Sequence, residues 1–354
     1  MSRSARPRAD RILIIRLKRA GDVVMTTPAV SILRRALPEA RLSYLVDAPY
    51  ARLVDGHPDL DEVIVASGGG ETFFDLVRRL RRARFDAVAD FHGGPRASRL
   101  AWFSGAPLRA GYEIPWRNFI YGVRVPRSGP GGAAVHSVVN HAHLARALLR
   151  RLGADDGGPG VPPLRLPDAR PGEKARLDAI LARPGRTGDG ARLAVLHIGA
   201  GNAFRDWGEE NFLDLARRLS EGPGLRIALA GGPEDRDRAA SILARAPAGT
   251  LSFAGDLNWA ELRDLIGRSA LFAGPDSGPM HVAASTATPI VAIFGPTLPA
   301  HFAPWRSDGV RIVEKAMDCR PCRQRECLTR DVRCLRAVTA AEVFGACLET
   351  LKRV

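Results

Sequence analysis

Three polar groupings stand where a strand gives way to a helix. The first is Lys18-Arg19-Ala20-Gly21-Asp22, following the β-rich stretch Arg11–Leu17. Gly21 supplies a tight turn, and Asp22 at a helix start can cap free N–H groups. At the carboxyl end of a first parallel strand the same carboxylate also faces the crevice where open α/β sheets bind ligands, and there it can take a proton. The second grouping, Gly199-Ala200-Gly201-Asn202-Ala203-Phe204-Arg205-Asp206-Trp207, follows the strand Leu193–Ile198. Its glycines suggest a dinucleotide loop, but Phe204 stands where the third glycine of G-x-G-x-x-G belongs and the loop is long, which argues against a nicotinamide site. The third, Gly274-Pro275-Asp276-Ser277-Gly278, joins the strand Ala270–Ala273 to a helix over Pro279–Ser285. Such a turn aims backbone N–H groups, a helix dipole and the Ser277 hydroxyl at one point, and Gly278 admits a ligand close to the main chain, so a phosphate suits it. An ordinary capped turn is the alternative.

Other candidate chemistry is thinner. Cys319, Cys322, Cys327 and Cys334 are spaced C-x-x-C-x(4)-C-x(6)-C, and four thiolates fit a structural zinc, with reduced packing cysteines as the alternative. His136, His141 and His143 share a helix over Val135–Leu152, but no acidic partner shares the face of His136 and His143, so no metal is expected there. The D-x-D triplets Asp59–Asp61 and Asp235–Asp237 lie in no metal-binding context.

Strands and helices alternate from end to end, which implies parallel sheets covered on both faces. After a helix over residues 20–35 come the strand Arg41–Val46, a helix near Pro49–Val54, the strand Glu62–Val65, the Gly68-Gly69-Gly70 break, the helix Thr72–Arg82 and the strand Asp86–Asp90. Residues 91–125 read as irregular, aromatic and basic, either a ligand-facing loop region or a long surface connection. The Gly, Pro and Asp content of 153–171 marks an interdomain linker. The expected organisation is an N-terminal α/β domain over 1–165, a linker over 166–190, a second α/β domain over 191–337 and a helix over 338–354 that packs back on the body, with Val343, Phe344, Leu348 and Leu351 on one side.

The 354 residues suffice for two domains of ordinary size, each with its own core. A formal net charge of +14 comes from arginine spread over many helix faces and suits an anionic partner, although coding bias toward arginine also produces it. No apolar run approaches the ~20 residues that span a bilayer. The start M-S-R-S-A-R-P-R-A-D has no apolar core after its basic residues, and five cysteines are an odd count for a disulfide framework, so a cytosolic protein with reduced thiols is expected. Charge alone suggests a basic nucleic-acid-binding protein as the rival from another class, but no recognition motif accompanies it.

The segments G-P-D-S-G-P-M-H with a trailing F-G-P-T, R-L-K-R-A-G-D-V-V-M-T-T-P-A, and H-I-G-A-G-N-A-F-R-D-W resemble, in the right order, the three signatures of glycosyltransferase family 9, the bacterial heptosyltransferases. The resemblance implies a GT-B architecture, two doubly wound Rossmann-like domains facing across a cleft. It implies transfer of a heptose from an ADP-sugar to a hydroxyl of a lipid A–core acceptor by an inverting single displacement. Another nucleotide sugar or acceptor is the alternative within the family. Asp22 becomes the general base, with Gly21 and His281 supporting the sites. Donor phosphates fall to Gly199, Ala200, Gly201, Ser277, Gly278, Pro279 and Arg205, which stands where the family has a lysine. The nucleoside falls to Glu234, Leu257, Asn258 and Asp276. No cofactor is required for the chemistry beyond the ADP-sugar substrate, a monomer in peripheral contact with the inner face of the cytoplasmic membrane is expected, and nucleic acid is not a partner.

Overall fold

Runs of aliphatic residues such as Ile12-Leu13-Ile14-Ile15 and Ile290–Phe294 bury completely because both faces of a parallel strand are covered. The computed structural model describes residues 9–66, 70–128, 133–155, 157–182, 192–328 and 330–352. They form two compact units, up to Pro167 and from Asp168 onward.

The first unit comprises β1 (Arg11–Ile15), α1 (Ala20–Ala36), β2 (Arg41–Asp47), β3 (Glu62–Ala66), α2 (Phe73–Arg82), β4 (Ala87–Asp90), α3 (Pro95–Phe103), β5 (Leu108–Tyr112), β6 (Val123–Val125) and α4 (Ser137–Leu152). Its six strands are all parallel, in the order β3-β2-β1-β4-β5-β6. The chain thus runs outward one way from β1 and then returns to start again at β4. That reversal opens a crevice at the carboxyl ends of β1 and β4. The helix expected near Pro49–Val54 is a 3-10 turn over Ala48–Leu53. Residues 91–125, read from sequence as irregular, contain α3, β5 and β6 instead. Gly94 and Pro95 start α3, and both strands are short, β6 at the sheet edge and β5 beside it, with glycine and arginine content that hides the alternation.

The second unit comprises α5 (Pro171–Leu181), β7 (Leu193–His197), α6 (Glu209–Glu221), β8 (Arg226–Ala230), α7 (Arg236–Leu243), β9 (Leu251–Ser252), α8 (Trp259–Gly267), β10 (Leu271–Pro275), α9 (Gly278–Ala283), β11 (Ile290–Phe294), α10 (Pro299–Phe302), β12 (Val310–Glu314), α11 (Arg333–Arg336) and α12 (Ala340–Leu351). The order β12-β11-β10-β7-β8-β9, again parallel, repeats the pattern of the first unit, with its reversal between β7 and β10. The stretch expected as linker contributes α5, whose Arg176 Nε donates to Glu261 of α8 at 2.7 Å and whose Asp178 pairs with Arg268. It is therefore an element of the second unit, while 183–190, like Gly68 and Gly69, lie outside the described residues. Helix α12 packs on α6 and on the β11–β12 side of the sheet through Val343 and Cys347, and Trp207 Nε1 donates to Val338 O at 2.7 Å.

Helix α1 carries Pro28 in its interior, which has no N–H for Val24 O. The Thr27 hydroxyl replaces it, donating to Val24 O at 2.8 Å, and it also accepts from Arg165 N at 3.2 Å. Thr27→Val removes both bonds in a fully buried place. We expect a loss of ~1–3 kcal/mol in urea unfolding, with Thr27→Ser keeping most of the stability, whereas equal losses from both would assign the effect to packing.

Candidate active site

The left-handed residue entering α1 is Arg19, at φ 65°, and Gly21 lies inside the first turn of the helix rather than making the turn before it. Among the described residues no side chain caps this helix. The Asp22 carboxylate instead forms an ion pair with Arg16 Nη2, at side-chain exposures of 26% and 8%. Capping therefore does not account for Asp22. Arg16 directly follows β1, and its Nη1 donates to Phe91 O, just beyond β4, at 2.6 Å. The guanidinium is fixed between the ends of the two strands that flank the reversal.

Asp90 ends β4 and is wholly buried. Its carboxylate accepts from the His92 and Gly93 N–H groups, both at 2.9 Å, and from Tyr121 Oη at 2.5 Å. Burial raises its pKa above the ordinary value against those bonds. Burial, with Arg16 adding to it, lowers His92 to about 4, so its imidazole is neutral at physiological pH. Sequence reasoning passed over Arg16, Asp90 and His92. The available signal was their position at the carboxyl ends of two central strands. His141, one of the helix histidines, is buried against Tyr112 Oη at 2.5 Å, and His136 caps α4 through its ring nitrogen.

In the second unit Arg205 closes a 3-10 turn, Ala203–Arg205, that follows β7. Its Nη1 donates to Asp276 O at 3.0 Å and faces the Asp276 carboxylate at 3.3 Å, and its Nε donates to Gln324 Oε1 at 2.8 Å. Asp276, expected at the nucleoside, is buried and also accepts from Thr297 Oγ1 at 2.5 Å. It holds the arginine. Beside it the Ser277 hydroxyl is buried with no partner among the described residues, and it leads into α9 with Gly278, Pro279 and the buried His281. An unpaired buried hydroxyl is costly, and a ligand oxygen would satisfy it.

The loop between β7 and Arg205 is shaped by an acid. A Cβ on Gly199 would collide with the Asp235 carboxylate, which accepts from Gly232 N at 2.8 Å, so glycine there makes room for a side chain of the same unit. Gly201 adopts φ 58°, with open space around its Cα. Ala200 lies between them. Glu234 is exposed in the 3-10 turn after β8, and Leu257 is half-buried. Asn258 is committed elsewhere: its Oδ1 caps α8, accepting from Ala260 N and Glu261 N at 2.9 and 3.0 Å, and its Nδ2 donates to Glu173 at 2.9 Å. Both ends of the amide that a base would need are in use.

The five cysteines are free thiols, and among the described residues no group of three or more His, Cys, Asp or Glu side chains is arranged to hold a metal ion, so the zinc suggested by the cysteine spacing finds no support here. Helix α11 draws Cys334 into the apolar core with Leu335 and Val338, and burial raises its thiol pKa. Among the described residues no helix is long and apolar enough to cross a membrane.

Comparison with known proteins places this geometry. The profile of glycosyltransferase family 9 (heptosyltransferase) matches residues 73–332. The chain is 24% identical over 343 residues to lipopolysaccharide heptosyltransferase 3 of Escherichia coli, covering 92% of this chain and 95% of that one. The glycosyltransferase family 9 structure from Veillonella parvula superposes with a TM-score of 0.83 at 22% identity, covering 98% of each chain. The E. coli ADP-heptose lipopolysaccharide heptosyltransferase II does so with a TM-score of 0.77 at 22% identity, covering 97% of this chain and 99% of that one. These enzymes have the GT-B fold, and so do the two Rossmann-like units described above. The chain belongs to glycosyltransferase family 9 and is a glycosyltransferase.

Proposed function

We propose that the enzyme transfers a heptose from ADP-heptose to a hydroxyl of a lipid A–core acceptor by an inverting single displacement. The observation that carries the reading is Asp22: a partly exposed carboxylate at the end of the central strand, turned by Arg16 away from the helix backbone. In this mechanism Asp22 takes the acceptor hydroxyl proton while the acceptor oxygen bonds the anomeric carbon. The bond from that carbon to the phosphate oxygen breaks, and ADP leaves. Negative charge grows on the leaving phosphate oxygen, where the Arg205 guanidinium and the Ser277 hydroxyl are the groups suited to receive it. Glu234 and Leu257 remain the nucleoside contacts, Asn258 and Asp276 having structural duties. Relatives named for ADP-heptose and for lipopolysaccharide support the choice of donor and acceptor.

Peripheral membrane contact follows from the same reading and finds support on the first unit. Phe74, Phe119 and Trp116 are 75%, 70% and 95% exposed, too open for core residues. Phe73 stacks edge-on with Phe74 and Phe103, and Trp102 with Phe119 at 5.6 Å. Arg99 and Arg109 lie over Phe73 and Trp102. Residues 73–127 hold eleven arginines against four acidic residues, so aromatic rings and cations occur together as an anionic bilayer surface requires.

Asp22→Asn keeps the shape and an acceptor for Arg16 but removes the base. Turnover should fall by a factor on the order of 100 to 10,000 while ADP-heptose affinity holds, measured as ADP release on one folded preparation, and near-normal turnover would end the mechanism. Arg205→Ala should weaken donor turnover far more than Arg205→Lys, because charge at the diphosphate is the main requirement, and equal losses would move that role to another group. Phosphatidylglycerol vesicles should bind the protein, neutral vesicles should not, and rising salt should release it. Binding that ignores salt would count against the basic face.

A further inference from the structure

Arg205 is met by an acceptor from 119 positions further along the chain, Gln324, which sits inside the cysteine-rich segment. We propose that this segment is a strap that fixes the direction of the Arg205 guanidinium through Gln324, making Gln324 a positioning residue for the donor diphosphate. The inference rests on the reading of Arg205 as the diphosphate-binding cation and adds the device that aims it.

The hydrogen-bond chemistry leaves one arrangement. A guanidinium has five N–H donors and no acceptor. Nε is taken by Gln324 Oε1 at 2.8 Å and Nη1 by Asp276 O at 3.0 Å, whereas Nη2 has no partner among the described residues. Gln324 Oε1 accepts a second bond, from Asn202 Nδ2 at 2.9 Å. Asn202 cannot turn its amide over, because its Oδ1 already accepts from Phe204 N at 2.9 Å. Both neighbours of the Gln324 amide are therefore donors, which requires its oxygen, not its nitrogen, to face them. With Nε occupied, an anion cannot grip the side edge of the guanidinium formed by Nε and Nη2. It has to meet the end that carries Nη2.

The strap is tied to the same residues from the other side. Cys322 N donates to Pro296 O at 3.2 Å, and Arg320 Nη2 to Thr297 O at 2.6 Å. The Thr297 hydroxyl in turn holds the Asp276 carboxylate at 2.5 Å. Arg320, Thr297, Asp276, Arg205 and Gln324 thus form a closed circuit that begins and ends in the strap. Gln324 reaches Arg205 from a left-handed backbone at φ 55°, a conformation that only firm surroundings hold in a glutamine.

The test is a double-mutant cycle read by calorimetric titration with ADP, with melting temperature recorded for each variant. Gln324→Ala should weaken ADP binding by about ten- to hundredfold, the range of one hydrogen bond to a charged group. In an Arg205→Lys background the same change should cost less than about twofold, since lysine has no Nε to hold. Gln324→Glu keeps the acceptor but adds a negative charge beside Arg205, and should also weaken ADP, most at low salt. A loss of equal size in both backgrounds, or unchanged ADP binding in Gln324→Ala, would overturn the positioning role. If Arg205→Ala itself leaves ADP binding unchanged, the reading of Arg205 fails and the strap's role with it. If Arg205→Ala weakens ADP and Gln324→Ala does not, only the strap is overturned.

Discussion

An arginine cannot shed its charge, so wherever the chain removes one from water it must surround it with acceptors. Both units do this at the same place. Arg16, one residue past β1, reaches the carbonyl just beyond β4, and Arg205, in the loop past β7, reaches the carbonyl just beyond β10. β4 and β10 hold the same position in the two sheet orders, each lying beside its unit's first strand. In each case a carboxylate completes the set, Asp22 for Arg16 and Asp276 for Arg205. A guanidinium therefore ties together the two strand ends that part at each reversal. The strand order makes this possible, because only there do a first-strand loop and a fourth-strand loop diverge side by side.

The two cations are left differently open, and that separates their chemistry. Arg16 is nearly enclosed, and the exposed member of its pair is the carboxylate. With Arg205 the relation is inverted, since Asp276 is buried and the guanidinium keeps 21% exposure. One crevice presents an anion backed by a cation, the other a cation backed by an anion. The second acid of the first unit, Asp90, offers no alternative base: it is wholly buried with three donors in place, whereas Asp22 has one arginine and solvent.

Much of this was legible in the sequence. The strand runs, the turn Gly274–Gly278 and the placement of Asp22 after the first strand come from patterns a few residues long, and the boundaries of β1, β2, β3, β7 and β10 fall within two residues of expectation. Local patterns failed where partners are distant. Nothing near Asn258 announces that its amide is shared with Glu173, 85 positions away, and nothing near Asp276 announces Arg205. Gly199 reads as a phosphate-loop glycine, yet the atom a side chain would strike belongs to Asp235. Cysteine spacing suggested a metal, but spacing does not say that α11 turns Cys334 into the core. Elements such as β5, β6 and α8 were passed over because the strands are short and lie at or next to the sheet edge, or because a loop already given another role precedes the helix.

The residue at 205 shows how one substitution draws in others. Where the family resemblance places a lysine, this chain has an arginine, and the two differ in more than strength of charge. A lysine presents three donors on one rotating nitrogen, all free to follow an anion. An arginine drawn partly out of water brings an Nε that must be satisfied separately and a plane that must be set. Here the Asp276 carbonyl sets one edge of that plane and Gln324 the other, with Asn202 fixing the Gln324 amide. Arginine alone at this position would be a cation without a direction. With these partners its Nη2 corner, unpaired among the described residues, is held in place, as the proposed stabilisation of charge on the leaving phosphate requires.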